Sequence, residues 1–407
     1  MASIEDRWFR TVRLPDDTTE KVKTDRYGTG LRWLVRWRDP EGRPKKMSFE
    51  KKVQADNHSA KVEADKLRGT YVDPNAGKVT FKDYAETWRE GQFRDAGTAY
   101  QFELRLRLHA YPVLGQLELR KIKPSTIRQW LTGLDMADSY QRTIFTNVSQ
   151  VFSAAVADEL IGKNPCQSTA VRKPRVEHGK IIPWVTERVA AVRNGLASQY
   201  KIVVTLGAGL GLRQGEVFGL GVEDVDFLRG VVHVRRQVKL SNGNRPYFAL
   251  PKSRKTRTVP LPRSVRDELA AHLAQHPARS VTLPWDQPDG KPVTVALVTT
   301  SRESGAMNRN YFNARLWKPA LRSAEVPAIR VNGSHALRHY YASVLLDGGE
   351  SIKTVSERLG HSDPGFTLRV YCHLMPDGES RTRDIIDTAF SALGSSSSAP
   401  SVPQIGS

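Results

Sequence analysis

Only two cysteines, Cys166 and Cys372, occur in the 407 residues, and they lie far apart. They supply neither a zinc-ligand spacing nor a disulfide framework, and a reducing cytosol suits such a chain. No run of about 18 apolar residues occurs, so no membrane-spanning segment is expected. The opening stretch Met1 to Arg10 lacks the apolar region of a secretory leader, and a cytoplasmic location is expected. There is no Gly-x-x-x-x-Gly-Lys loop to cradle nucleotide phosphates and no carboxylate cluster for a two-metal site. Neither a metal nor an organic cofactor is therefore expected, and no internal repeat is present.

Acid is also in short supply. Asp and Glu total 43 against 62 Lys and Arg, a formal net charge of +19. Such a surplus attracts a polyanion, with nucleic acid the first candidate and an anionic membrane the second.

The length suggests two or three domains. Residues 1–72 read as a small β-sheet with a helix. Leu31 to Arg38 alternates, with Trp33, Val35 and Trp37 on one face and Arg32, Leu34, Arg36 and Arg38 on the other. Asp39-Pro40-Glu41-Gly42 is a turn signal, Lys45 to Phe49 a partner strand, and a polar helix follows at 53–70. The arginine face suits a DNA groove or, more plainly, solvent.

After a linker at 73–77, residues 78–168 read as an all-α, four-helix module. Thr80 caps a helix with Phe81, Tyr84, Ala85 and Trp88 on one side. A second helix is expected at 96–110, a third opens at Pro124, and a fourth carries Ile144, Val148, Val151, Phe152 and Ala155. Asn164-Pro165 ends the module.

Residues 180–392 read as a mainly helical α+β unit. Strands are expected at 230–238, 245–250 and 256–260, and helices at 197–210, 264–275, 307–323, 335–348 and 351–359. An amphipathic stretch at 379–393 carries Ile385, Ile386, Ala389 and Phe390. The Ser/Pro-rich tail 394–407 is expected to be disordered.

The chemistry-bearing residues cluster in this third part. Arg213 follows Gly211-Leu212, and Lys252 is expected on a mobile hairpin between two strands. His335 and Arg338 stand three apart on one helical turn, and His361 and Tyr371 follow. Singly, each has a structural reading: Arg213 as an ion pair with Glu216, Lys252 as a solvated cation, His335 as a helix cap, and His361 and Tyr371 as core residues. Together they form a kit for metal-free phosphoryl transfer from a phosphodiester. Guanidinium forks match the phosphate oxygens on which charge gathers. A tyrosine nucleophile has a free pKa of about 10, and two arginines beside it should favour phenolate. The departing 5′ oxygen needs a proton, which a lysine can supply.

These blocks resemble the tyrosine recombinase, or phage integrase, family. The resemblance rests on Gly-Leu-Arg-x-Gly-Glu at 211–216, Pro-Lys-Ser at 251–253, His-x-Leu-Arg-His at 335–339 and Leu-Gly-His-Ser at 359–362, with Tyr371 ten residues after His361. It covers about 180–390. The module at 78–168, with Pro112-Val113-Leu114-Gly115, resembles the family's core-type DNA-binding domain. The unit at 1–72 more weakly resembles arm-type DNA-binding domains, which assigns Arg32, Arg36 and Arg38 to DNA.

The resemblance implies an integrase that cuts and rejoins double-stranded DNA at attachment sites of a phage or mobile element, through a 3′-phosphotyrosine. Arg213 and Arg338 would clamp the phosphate, and His361 would hydrogen-bond it. His335 would assist proton transfer, Lys252 would be the general acid, and Tyr371 would attack. Glu216 and His339 would support or pack around this set. It further implies a homotetramer on DNA in a bacterial cytoplasm, associated with the nucleoid, with accessory DNA-bending or directionality factors as further partners. Residues 385–393 would dock on a neighbouring protomer. Two rival readings are a type IB topoisomerase and a DNA-binding regulator without catalysis.

Overall fold

The computed structural model describes residues 2–14, 18–69, 71–73, 76–93, 95–176, 181–361, 363–374, 383 and 386–391. The chain divides into two units near residue 177. The linker expected at 73–77 therefore lies within the first unit, although the segments on either side of it have separate cores.

The first unit opens with β1 (Ser3–Asp6), β2 (Phe9–Arg13), β3 (Thr19–Lys23), β4 (Trp33–Arg38), β5 (Pro44–Phe49) and α1 (Lys52–Leu67). β4 is the middle of an antiparallel sheet ordered β1-β4-β5, and β2 and β3 form a separate two-stranded ribbon. The period of two along β4 drives Val35 and Trp37 into a small core with Ala55 and Val62 of α1. Leu34, expected beside the arginines, is buried as well. β1, β2 and β3 were not anticipated. Their sequences, such as Ser-Ile-Glu-Asp and Thr-Glu-Lys-Val-Lys, are mostly polar and exposed, so they carry little of the apolar alternation that marks a strand.

The same unit continues with α2 (Phe81–Glu90), α3 (Ala96–Arg105), α4 (Tyr111–Leu114), α5 (Pro124–Thr132) and α6 (Asp138–Ala157). Thr80 Oγ1 accepts from the Asp83 N–H at 3.2 Å, which starts α2 and turns Phe81, Tyr84 and Ala85 inward. The helix expected at 96–110 is α3 followed by a π-helical turn, Leu106–Ala110, and then α4. Pro124 stands at the first turn of α5, where its missing N–H costs nothing. Ile127, Trp130, Ile144, Val148, Val151 and Phe152 meet in one core.

The second unit contains α7 (Thr186–Asn194), α8 (Ser198–Leu210), α9 (Gln214–Phe218), β6 (Val225–Asp226), β7 (Val231–Val234), β8 (Gln237–Leu240), β9 (Pro246–Ala249), β10 (Arg257–Pro260) and α10 (Arg263–Gln275). It continues with β11 (Arg279–Pro284), β12 (Pro292–Leu297), α11 (Arg309–Tyr311), α12 (Lys318–Ser323), α13 (His335–Asp347), α14 (Ile352–Leu359) and α15 (Pro364–Tyr371). Its strands make small antiparallel sheets, β10-β7-β6, β8-β9 and β11-β12.

Two expectations change here. The strand expected at 230–238 breaks into β7 and β8, because Arg236 leaves the ladder to reach the buried Asp224 at 2.6 Å. The strands flanking Lys252, β9 and β10, belong to different sheets, so its turn is a crossover and not a hairpin.

α8 is apolar on nearly every side and runs through the main core. It packs closely on α13, since a Cβ at Gly207 would lie 2.8 Å from Leu337. The other side of α13 supplies Tyr341, Ala342 and Leu346 to a second, smaller core with Val355, Leu359 and Tyr371. α13 thus stands between two cores and carries buried groups toward both. Ile386 and Phe390 are exposed, while Ile385 and the tail 394–407 lie outside the described residues. No helix among the described residues is long and apolar enough to cross a membrane.

Candidate active site

Gly211 ends α8 in the left-handed conformation, with φ +63°. A Cβ there would sit 2.4 Å from the Tyr341 ring, so backbone freedom and close approach both demand glycine. The reversal delivers Arg213 to the start of α9. Its N–H and its Nη1 both donate to Glu216, each at 2.9 Å, and Nη2 faces the Gly360 carbonyl at 3.5 Å.

Glu216 is 1% exposed and takes a second arginine. Arg257 of β10 donates to both its oxygens, at 3.0 and 2.7 Å, and its Nε reaches the Arg358 carbonyl at 2.8 Å. Burial alone would raise the Glu216 carboxyl, but Arg257 and Arg213 overcome it and hold it at about 2. One buried carboxylate therefore orients two guanidinium groups.

Arg338, also 1% exposed, projects from the first turn of α13. Nη1 donates to the Gly211 carbonyl at 2.7 Å, and Nη2 to the Leu359 carbonyl and to His361 Nε2, the latter at 3.0 Å. Among the described residues no carboxylate pairs with it. Burial, then the nearby Arg213, pushes its pKa down to about 9, which leaves it positive at neutral pH. Since guanidinium has only donors, His361 Nε2 accepts. In the neutral ring Nδ1 then carries the hydrogen and donates to Thr367 Oγ1 at 2.7 Å. Burial, with Arg338 and Arg213, keeps His361 neutral at about 3.

Tyr371 closes α15 and is 1% exposed. Its hydroxyl lies 2.7 Å from His339 Nδ1. The ring of His335 meets that of His339 edge to face, with centroids 4.8 Å apart. Both histidines are held at about 4, chiefly by burial. Two arginines favour phenolate, as expected, but they do not decide the net result. Arg338 and Arg213 do pull the phenol down, but burial outweighs them and raises it to about 12.

Lys252 is exposed on the Lys252–Arg254 turn and touches none of these groups, although its charge helps depress His335. The neighbouring Arg254 turns to Asp286 at 3.2 Å.

Short contacts thus tie Arg213 to Glu216, Arg338 to His361 and His339 to Tyr371; the charges of Arg338 and Arg213 act on Tyr371, His335 lies against His339, and Lys252 stands apart. Two members were missed in the sequence. Arg257 shares the inward face of β10 with the fully buried Val259, and a cation at an inward strand position was the available signal. Thr367 lies six residues after His361 and had no signal of its own. Among the described residues no group of three or more His, Cys, Asp or Glu is placed to hold a metal.

The arginines of the first unit are arranged otherwise. Arg32 donates to Asp6 at 2.7 and 3.1 Å and lies over the Phe9 and Trp33 rings. Arg36 pairs with Glu5 at 2.9 Å, and Arg38 donates to the Gly42 carbonyl at 2.8 Å.

Residues 186–377 match the phage integrase family, and residues 80–134 match the phage integrase N-terminal SAM-like domain. A tyrosine recombinase XerC-like protein of Caldanaerobacter subterraneus subsp. tengcongensis is 31% identical over 59% of this chain and 63% of its own length. A putative prophage phiRv2 integrase of Mycobacterium tuberculosis is 26% identical over 87% of this chain and 91% of its own. Among solved structures, the Tn1549 transposon integrase in complex with a circular intermediate DNA aligns with TM-score 0.63 and 20% identity, over 75% of this chain and 99% of that one.

Proposed function

Since the chain belongs to the phage integrase family of tyrosine recombinases, we propose that it is a site-specific recombinase that cleaves and rejoins DNA through a covalent bond to Tyr371. The observation that carries this reading is a buried tyrosine hydroxyl beside arginines that one carboxylate does not neutralise. The cluster Arg213, Arg257 and Arg338 keeps an excess of positive charge after Glu216 is counted, and a phosphodiester is the anion that such a cluster and a nucleophile would act on together.

Arg213 and Arg338 clamp the non-bridging oxygens. His361, fixed by Arg338 and Thr367, faces the same phosphate. Tyr371 displaces the 5′ oxygen and becomes a 3′-phosphotyrosine, which conserves the energy of the broken bond and needs no nucleotide cofactor. Lys252, on its exposed turn, comes to the 5′ oxygen only when DNA is seated and protonates it. Exchange between two duplexes requires four strand cuts, and each chain carries one such tyrosine, so the working form is a tetramer on DNA. The helical segment 78–168 grips the core site, and the sheet of residues 1–72 engages a second class of site. Integration or excision of a mobile element in a bacterial nucleoid follows from that pairing.

A nicked duplex that loses its 5′ fragment after cleavage tests the reading. Wild-type protein should trap a covalent protein–DNA band on a denaturing gel, and Tyr371→Phe should give none. A wild-type chain that binds attachment DNA yet never forms the band is a regulator. One that relaxes plasmids lacking any site is a topoisomerase.

A further inference from the structure

The resemblance gives the proton-transfer role to His335, but the ring that meets the nucleophile is another. His339 Nδ1 lies 2.7 Å from the Tyr371 hydroxyl. His335 reaches only the His339 ring and makes no hydrogen bond among the described residues. The two histidines are one helical turn apart on α13. Tyr371 is buried, so bulk solvent is not positioned to take its proton. Nor does an arginine offer a lone pair for it.

We propose that His339 is the catalytic base that takes the phenolic proton of Tyr371, an inference that rests on the recombinase reading above. As the Tyr371 O–H bond breaks, its proton passes to His339 Nδ1. The phenolic oxygen forms the new bond to phosphorus, the bond from phosphorus to the 5′ oxygen breaks, and that oxygen takes a proton from Lys252. His339 is then an imidazolium beside the phosphotyrosine. On rejoining, the 5′-hydroxyl gives its proton back to the neutral Lys252 as its oxygen bonds to phosphorus, the bond from phosphorus to the phenolic oxygen breaks, and His339 returns its proton to that oxygen.

The protonation of the pair is already set for this. Burial and Arg338 keep His339 neutral, so with the hydrogen on Nε2 the Nδ1 lone pair is available at pH 7. The charge of an arriving phosphodiester raises the basicity of the ring as transfer begins.

The test uses the full-length chain and two nicked substrates, one natural and one with sulfur replacing the 5′ bridging oxygen. Sulfur leaves without a proton. Lys252→Ala should lose about 10²-fold or more on the oxygen substrate and recover on the sulfur one. His339→Ala should lose about 10²- to 10³-fold on both, as removal of a general base does. His339→Asn can still hydrogen-bond the hydroxyl but cannot accept its proton, and should be equally slow. On the sulfur substrate the rate of His339→Ala should climb about tenfold per pH unit as hydroxide takes over, and added imidazole should restore part of it.

A wild-type rate in His339→Asn overturns the proposal. So does recovery of His339→Ala on sulfur, or a flat pH profile without imidazole rescue. If wild-type protein forms no Tyr371-linked product on either substrate, the recombinase reading itself fails instead.

Discussion

The arginines of β4 and those around Glu216 are the same residue in two kinds of bookkeeping. On and just before that strand, each acid answers one arginine: Asp6 holds Arg32, which precedes β4, in a half-buried pair, and Glu5 holds Arg36 at the surface. In the second unit a single buried carboxylate holds Arg213 and Arg257, and Arg338 is held by carbonyls and a neutral histidine. The first arrangement is screened and locally neutral, and such pairs contribute about 0–1 kcal/mol. The second keeps fixed positive charge in a place from which water is largely excluded, where Coulomb interactions are several times stronger. The number of arginines on a face therefore says less than the number of acids that answer them, and how deeply.

The largest effect that would test this contrast is at Arg338. Lysine keeps the charge but cannot serve the Gly211 and Leu359 carbonyls together with His361. Arg338→Lys should lower strand cleavage at least about 10²-fold, as loss of one oxyanion donor does. DNA binding, read by gel shift, should hold within about tenfold, since many other phosphate contacts remain. Near-normal cleavage would mean that charge alone suffices and that the rigid fork is incidental.

Next comes Glu216→Gln. Removing the buried anion leaves Arg213 and Arg257 uncompensated, and breaking a buried pair in this way costs about 3–5 kcal/mol. Urea unfolding should show that loss, with cleavage falling alongside it because Arg213 is no longer aimed. A variant as stable as wild type would place this site in the same class as the sheet.

Arg213, Arg338, His361 and Tyr371 could be singled out in the sequence because phosphoryl transfer asks for particular side chains, and those stood in compact blocks. What joins them was not readable. His339 and Tyr371 are 32 positions apart, so their contact is a product of packing between α13 and α15. The net effect on the phenol was not readable for the same reason. Charge is visible in a sequence, whereas the burial that outweighs it here is not. Helix starts such as Thr80 and Pro124 were legible because a cap is a local feature. The strands β1 to β3 were not, since polar strands are fixed by their partners across the ladder. Asp6 and Glu5, which decide what Arg32 and Arg36 have left to offer, sit on one of those strands.

The smallest effect separates those two arginines. Glu5→Gln should free Arg36, which is exposed and has no ring beneath it among the described residues, to meet a phosphate. Asp6→Asn should free much less. Arg32 stays over the Phe9 and Trp33 rings, and Asp6 also accepts the Trp8 N–H at 3.1 Å, so the local turn suffers as well. If the sheet faces DNA, Glu5→Gln should tighten binding about two- to threefold at low salt. It should also steepen the log–log salt dependence by about one, the signature of one added phosphate contact. Stability should move by less than about 1 kcal/mol in either variant. Equal slopes in wild type and Glu5→Gln would mean that β4 does not lie against the phosphates, and DNA contact by the first unit would then have to come from other cations, such as Lys21 and Lys23 on the β2-β3 ribbon.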